Sequence, residues 1–153
     1  MTELERLSAV DAIRSVMARY VYYADHAEYE NLAGLFTQGG TFRSKNVQGE
    51  DWVVMNGRQQ IIEIISNSVG TAKVIHHLFS YETEILSENT AKSVINMEDI
   101  LIRPEDGELP EDPAMAFKTM HGYGHYRGDF VKINGIWYID TLVQTRLKID
   151  FLF

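Results

Sequence analysis

Apolar residues Leu7, Val10, Ile13, Met17, Tyr20, Val21 and Ala24 recur three and four positions apart, the repeat of one face of an α-helix. The pattern predicts a long amphipathic helix over about residues 4–25. A shorter helical pattern follows in Leu32, Leu35 and Phe36 and breaks at Gly39-Gly40, after which TFRSK reads as a short strand. Residues 57–69, with Ile61, Ile62, Ile64 and Ile65 and then Gly70, fit a third helix with a glycine stop. From residue 72 the period changes to that of strands. AKVIHHLFSYETEIL, AKSVINMEDILIR, MAFKTMHGYGHYRGDFVKI and IWYIDTLVQTRLKI are rich in β-branched and aromatic residues. Ser87-Glu88-Asn89-Thr90 and Asn134-Gly135 are turn signals that make neighbouring strands antiparallel hairpins. PEDGELPEDP, with all three prolines, reads as a solvated loop.

Helices followed by a meander of long strands is an α+β layout, with the helices on one face of a curved sheet. Such a sheet encloses a concave, mostly apolar pocket of the kind that binds small molecules. The length of 153 residues fits one domain over 1–153. Composition adds exclusions. A formal charge of −8 offers no basic stripe for nucleic acid or an anionic membrane. The absence of cysteine removes disulfides, thiolate metal sites and a cysteine nucleophile. The charged N-terminus is not a signal peptide and no segment reaches membrane-spanning length, so a cytoplasmic location is expected. No Walker A or GxGxxG motif is present, and the glycines of HGYGHYRGD are not followed by a helical pattern.

Polar residues on apolar faces are the candidates for chemistry. In the strand over 91–103 the odd side reads Ala91, Ser93, Ile95, Met97, Asp99, Leu101, so Asp99 faces the apolar side and demands a partner, structural or catalytic. His76 and His77 are adjacent in a strand, so only one of them faces inward. His121, Tyr123 and His125 share one strand face. Metal binding by His76 or His77 together with His121 and His125 lacks any compact ligand motif. Asp25 lies at the edge of the first helix's apolar stripe and near its C-terminus, where the dipole disfavours an anion unless a cation or proton donor meets it.

The segment AIRSVMARYVYYADHAEYENLAGLFTQGGTF, the His-His strand HHLFSYETEILSENTAKSVINMEDILI and YRGDFVKINGIWYI together resemble the SnoaL-like proteins of the nuclear transport factor 2-like superfamily. The resemblance covers nearly the whole chain and implies a cone-shaped α+β barrel, three N-terminal helices packed on a curved, mostly antiparallel sheet around a pocket. Two eliminating branches of the family, the hexachlorocyclohexane dehydrochlorinases and the bile acid dehydratases, use an Asp-His dyad without a cofactor. By motif the dyad falls on Asp25 and His76, with Ser80 at the family's Asn-or-Ser position. The bile acid branch adds Tyr20, Asp99 and Arg146 as further catalytic positions. Phe42, Ser44, Ser80 and Tyr126 are the implied substrate-binding set. The chain departs from the dehydrochlorinases at Tyr20 and Phe42 and from the bile acid branch at Ser44, which leaves leaving group and substrate open.

These features together imply a cofactor-independent, dehydratase-type lyase acting on a hydrophobic alicyclic or polycyclic small molecule. The resemblance implies His76 as the general base and Asp25 as its orienting anion. An isomerase or polyketide cyclase with the same dyad, or a non-catalytic binding or assembly domain, are the alternatives. Expected partners are the small molecule and further copies of the chain, as a trimer or dimer, with no nucleic acid, membrane or metal. The apolar ending KIDFLF is expected to cover the cavity or to pack on another subunit.

Overall fold

A computed structural model describes residues 1–153. Helix α1 (Glu3–Asp25) starts on a capping box: the Thr2 hydroxyl accepts from the Glu5 amide at 3.1 Å, and the Glu5 carboxylate accepts from the Thr2 amide at 2.7 Å. Its buried positions, Ala9, Ile13, Val16, Met17, Tyr20 and Ala24, keep helical spacing, although Leu7 stays exposed. Helix α2 (Tyr29–Ala33) is a single short turn. Leu35 and Phe36, expected to continue it, lead instead into strand β1 (Phe36–Lys45). The Leu35 carbonyl accepts from the Ile139 amide at 2.8 Å, and Phe36 pairs with Ile139, so strand pairing takes the backbone groups a helix would have used. Gly39-Gly40, read above as a break, lies inside β1 where its register slips.

Strand β2 (Asp51–Asn56) is absent from the sequence expectation; only Met55 of its six residues is buried, which leaves no alternation to read. Helix α3 (Gly57–Val69) ends at Gly70, whose φ of +56° suits glycine, as expected. The four long strands follow as β3 (Lys73–Ile85), β4 (Thr90–Ile102), β5 (Thr119–Ile133) and β6 (Ile136–Leu152). Each is antiparallel to the next, and the β5–β6 turn has both Asn134 and Gly135 at positive φ.

The six strands form one mixed sheet in the order β2-β1-β6-β5-β4-β3, parallel only between β1 and β6 and not closed on itself. The three helices lie on its concave face, with α1 against β3 and α3 against β1. Between them sits a core built around Ile13, Met17, Phe36, Ile95, Phe130, Ile139 and Leu142. No helix is long and apolar enough to cross a membrane. The C-terminal residues extend β6 rather than folding over the concave face: Phe151 packs on Phe117 at 5.0 Å between ring centres, and none of residues 148–153 lines the cavity.

Candidate active site

A cavity of about 180 Å³ lies between the sheet and the helices, and 14 of its 19 lining residues are hydrophobic. Its roof is Val53 and Met55 of β2 with Ile64, Ile65 and Val69 of α3; its floor is the inner face of β1, β6, β5, β4 and β3. Polar groups reach it from the floor and from α1.

Asp25 closes α1, and its carboxylate takes two donors from one residue of β3. Oδ1 is 2.7 Å from His76 Nδ1, and Oδ2 accepts from the His76 backbone N–H at 3.3 Å. A carboxylate against Nδ1 fixes the imidazole proton there, which leaves Nε2 as the basic nitrogen. His76 lines the cavity with a side chain only 12% exposed. The anion that the helix dipole disfavours at the end of α1 is thus held by a proton donor, the partner its position demanded.

Across the β3–β4 ladder His76 pairs with Asp99, so both side chains rise from the same inner face. Asp99 is buried and accepts two hydrogen bonds from the guanidinium of the equally buried Arg146, from Nη1 to Oδ1 and from Nη2 to Oδ2 at 2.8 Å. Burial pulls against the Arg146 charge, but the Asp99 carboxylate outweighs it and holds the guanidinium above its ordinary range. Asp99 lines the cavity and Arg146 does not: the arginine lies behind the aspartate, and its Nε–H has no acceptor. Space for the guanidinium comes from β5, where a Cβ on Gly122 would collide with it and stand 2.6 Å from Asp99 Oδ1.

Tyr20 of α1 and Tyr126 of β5 meet edge to face at 5.6 Å, and Tyr20 stacks on Phe42 at 6.2 Å. Burial pushes both phenols well above their usual pKa; the nearby Asp99 charge pushes the same way, so both stay protonated donors. Ser44 Oγ donates to Gln144 Oε1 at 3.1 Å, and Gln144 Nε2 donates to the Tyr126 hydroxyl at 3.4 Å.

Tyr20, Phe42, Ser44, His76, Asp99 and Tyr126 of the expected site therefore line one cavity, with Asp25 and Arg146 supporting it from outside. Ser80 does not belong. A bulge between Leu78 and Tyr81 shifts the phase of β3, and Ser80 is exposed and away from the cavity. Gln144 was missed, yet the alternation Leu142, Gln144, Arg146 on the buried side of β6 marks it by the argument that found Asp99. His77 faces outward: its Nδ1 and His121 Nε2 hold the two oxygens of Glu98 at 2.8 and 3.0 Å, on the face opposite the cavity. Their hydrogen bonds lower the Glu98 pKa, His121 first. His125 faces Asn96 on the same outer stripe.

The profile of the SnoaL-like domain family matches residues 5–143. Among solved structures, a hexachlorocyclohexane dehydrochlorinase superposes with a TM-score of 0.79 at 12% identity, over 99% of this chain and 94% of that one. A protein of Novosphingobium aromaticivorans provisionally assigned as a scytalone dehydratase gives 0.79 at 20% identity over 97% and 91%. A Mycobacterium tuberculosis protein of unknown function gives 0.74 at 20% over 95% and 76%. At such identities these likenesses speak for the fold. No curated protein matches the chain. The profile match spans most of the sequence, and the chain belongs to the SnoaL-like domain family.

Proposed function

We propose that the chain is a cofactor-independent lyase that eliminates water from a hydrophobic ring compound by abstracting an activated C–H proton. The observation that carries this reading is the Asp25–His76 hydrogen bond of 2.7 Å at the wall of an apolar cavity. His76 Nε2 takes the proton from carbon, and Asp25 stabilises the imidazolium that forms. The electron pair left on carbon becomes the new C=C bond as the C–O bond breaks. Tyr20, held protonated by burial, donates a hydrogen bond to the substrate oxygen but is a poor source of a full proton. The imidazolium of His76 therefore delivers its proton to the departing hydroxide, water leaves, and the enzyme returns to its starting state. Family membership and the dehydrochlorinase and scytalone dehydratase-like structural neighbours support small-molecule lyase or isomerase chemistry of this general kind.

A positioned base contributes about 10² to 10⁴ in rate, so His76→Ala should lower turnover of a hydroxylated ring ketone by that factor. Mass spectrometry of the product separates the outcomes. A product lighter by one water supports the lyase, one of unchanged mass assigns an isomerase or cyclase with the same base, and full turnover by His76→Ala removes the base from the mechanism.

A further inference from the structure

We infer that the cavity takes an uncharged, oxygenated compound of one ring or two fused rings, and rejects both four-ring molecules and ligands bearing a carboxylate or phosphate. The inference deepens the lyase reading and rests on it only for the statement that the ligand is also the substrate.

Size is the first argument. A buried cavity of about 150 Å³ holds one benzene ring, and this one measures about 180 Å³. Ser68 lines the cavity and is exposed, so the mouth lies at the C-terminal end of α3, and a second ring can sit there. A four-ring skeleton finds no such room between Met55 and Ile64 above and Tyr126 below.

Charge is the second argument. No lysine or arginine lines the cavity. The one nearby guanidinium, Arg146, already gives two hydrogen bonds to Asp99 and lies behind it. An anionic group entering the cavity would meet Asp99, two protonated phenols and the His76 imidazole, whose Nδ1 is already taken by the Asp25 carboxylate, without a free cation, and burying an unpaired charge is strongly disfavoured. A cationic group fares no better, because Asp99 is committed to Arg146 and Asp25 to His76.

Polarity is the third argument. Ser44, Gln144, Tyr126 and Tyr20 supply neutral hydrogen-bonding groups on the floor side, while the roof is aliphatic. A ligand with oxygens along one edge and a hydrocarbon body opposite matches both surfaces.

The test is direct binding of a panel to the full-length protein by calorimetry and thermal shift. The probes are 2-cyclohexenone, 2-tetralone, 2-naphthol, 2-naphthoate and a neutral four-ring steroid ketone. The first three should bind, 2-naphthoate should bind at least about tenfold more weakly than 2-naphthol, and the steroid should not bind. A naphthoate bound as tightly as the naphthol, a steroid bound as tightly as the tetralone, or no binding by any of the small neutral compounds each overturns the inference. Met55→Ala should widen the range toward three rings. Turnover of 3-hydroxycyclohexanone separates the two readings: if the panel binds as stated but the unmodified protein does not convert this β-hydroxy ketone to 2-cyclohexenone, the ligand class stands and the lyase falls, whereas turnover of a four-ring acid keeps the lyase and sinks the ligand class.

Discussion

Replacing Arg146 by methionine tests whether the Asp99–Arg146 pair is the structural keystone of the cavity floor. Both residues are under 10% exposed, so the substitution leaves the Asp99 carboxylate on the cavity wall beside Tyr20 and Tyr126 without its cation. Breaking such a pair costs about 3–5 kcal/mol. That is a large part of a typical total stability of about 5–15 kcal/mol. The pair itself is imperfectly satisfied, because Arg146 Nε–H lacks an acceptor. Removing both charges in Asp99→Leu/Arg146→Met should therefore recover most of the loss. With a urea dependence of about 2 kcal/mol per M, the single variant should unfold about 2 M earlier than the parent and the double variant close to it. Gly122→Ala probes the same contact from β5: its methyl lands on the guanidinium, and the overpacking should cost about 1–3 kcal/mol or more. An Arg146→Met protein as stable as the parent, or a double variant weaker than the single, refutes the assignment of Asp99 as a buried anion that depends on Arg146.

The two buried phenols give an alkaline signature. Their folded pKa lies above the free value of 10, so their contribution to stability is whole below pH 10 and is lost as pH rises through the folded values. Each retained proton adds a slope of about 1.4 kcal/mol per pH unit; urea unfolding between about pH 10 and 12 should show it, and Tyr20→Phe/Tyr126→Phe should flatten it. Ser80→Ala, at an exposed residue off the cavity, should leave turnover unchanged and stability within about 0.5 kcal/mol, and a loss of turnover would return Ser80 to the site.

The sequence alternation in β4 already required a partner for Asp99, and the same logic divided His76 from His77. Both facts are local, since neighbouring strand residues point to opposite faces. Asp25 was different. Its hydrogen bond crosses 51 positions in sequence, and only the family pattern linked it to His76 before the fold did. Ser80 was misplaced because a bulge, set by how β3 meets β4, reverses the face of every later residue in the strand. The glycines of HGYGHYRGD lack the following helix of a phosphate-binding loop, and their alternation is the signal that matters. Gly122 and Gly124 take the inner positions between Met120 and Tyr126, where they leave room for Arg146 and for a bulged β6. Strand β2 carried no pattern because it is mostly exposed, so its partner β1 decides it.

Asp25 offers a separation of structural from chemical roles. An anion at the C-terminal end of α1 is opposed by the helix dipole by about 0.3–1 kcal/mol. The two donors of His76 offset that opposition, but they do not require a negative charge to accept from them. If the residue only ties α1 to β3, Asp25→Asn should serve about as well: its amide oxygen accepts from His76, and relief from the dipole compensates for the hydrogen bond the amide nitrogen cannot accept. If Asp25 stabilises the imidazolium, the same variant should keep its stability within about 1 kcal/mol and still lose turnover, with the loss in kcat rather than in KM, because the charge is needed only after the proton has moved. Equal kcat for Asp25→Asn and the parent on a substrate that His76→Ala cannot turn over would leave His76 as the base and reduce Asp25 to a clamp. A parallel fall in both variants, with melting temperatures unchanged, identifies the pair as one catalytic unit, since neither the helix end nor the strand needs the charge to fold.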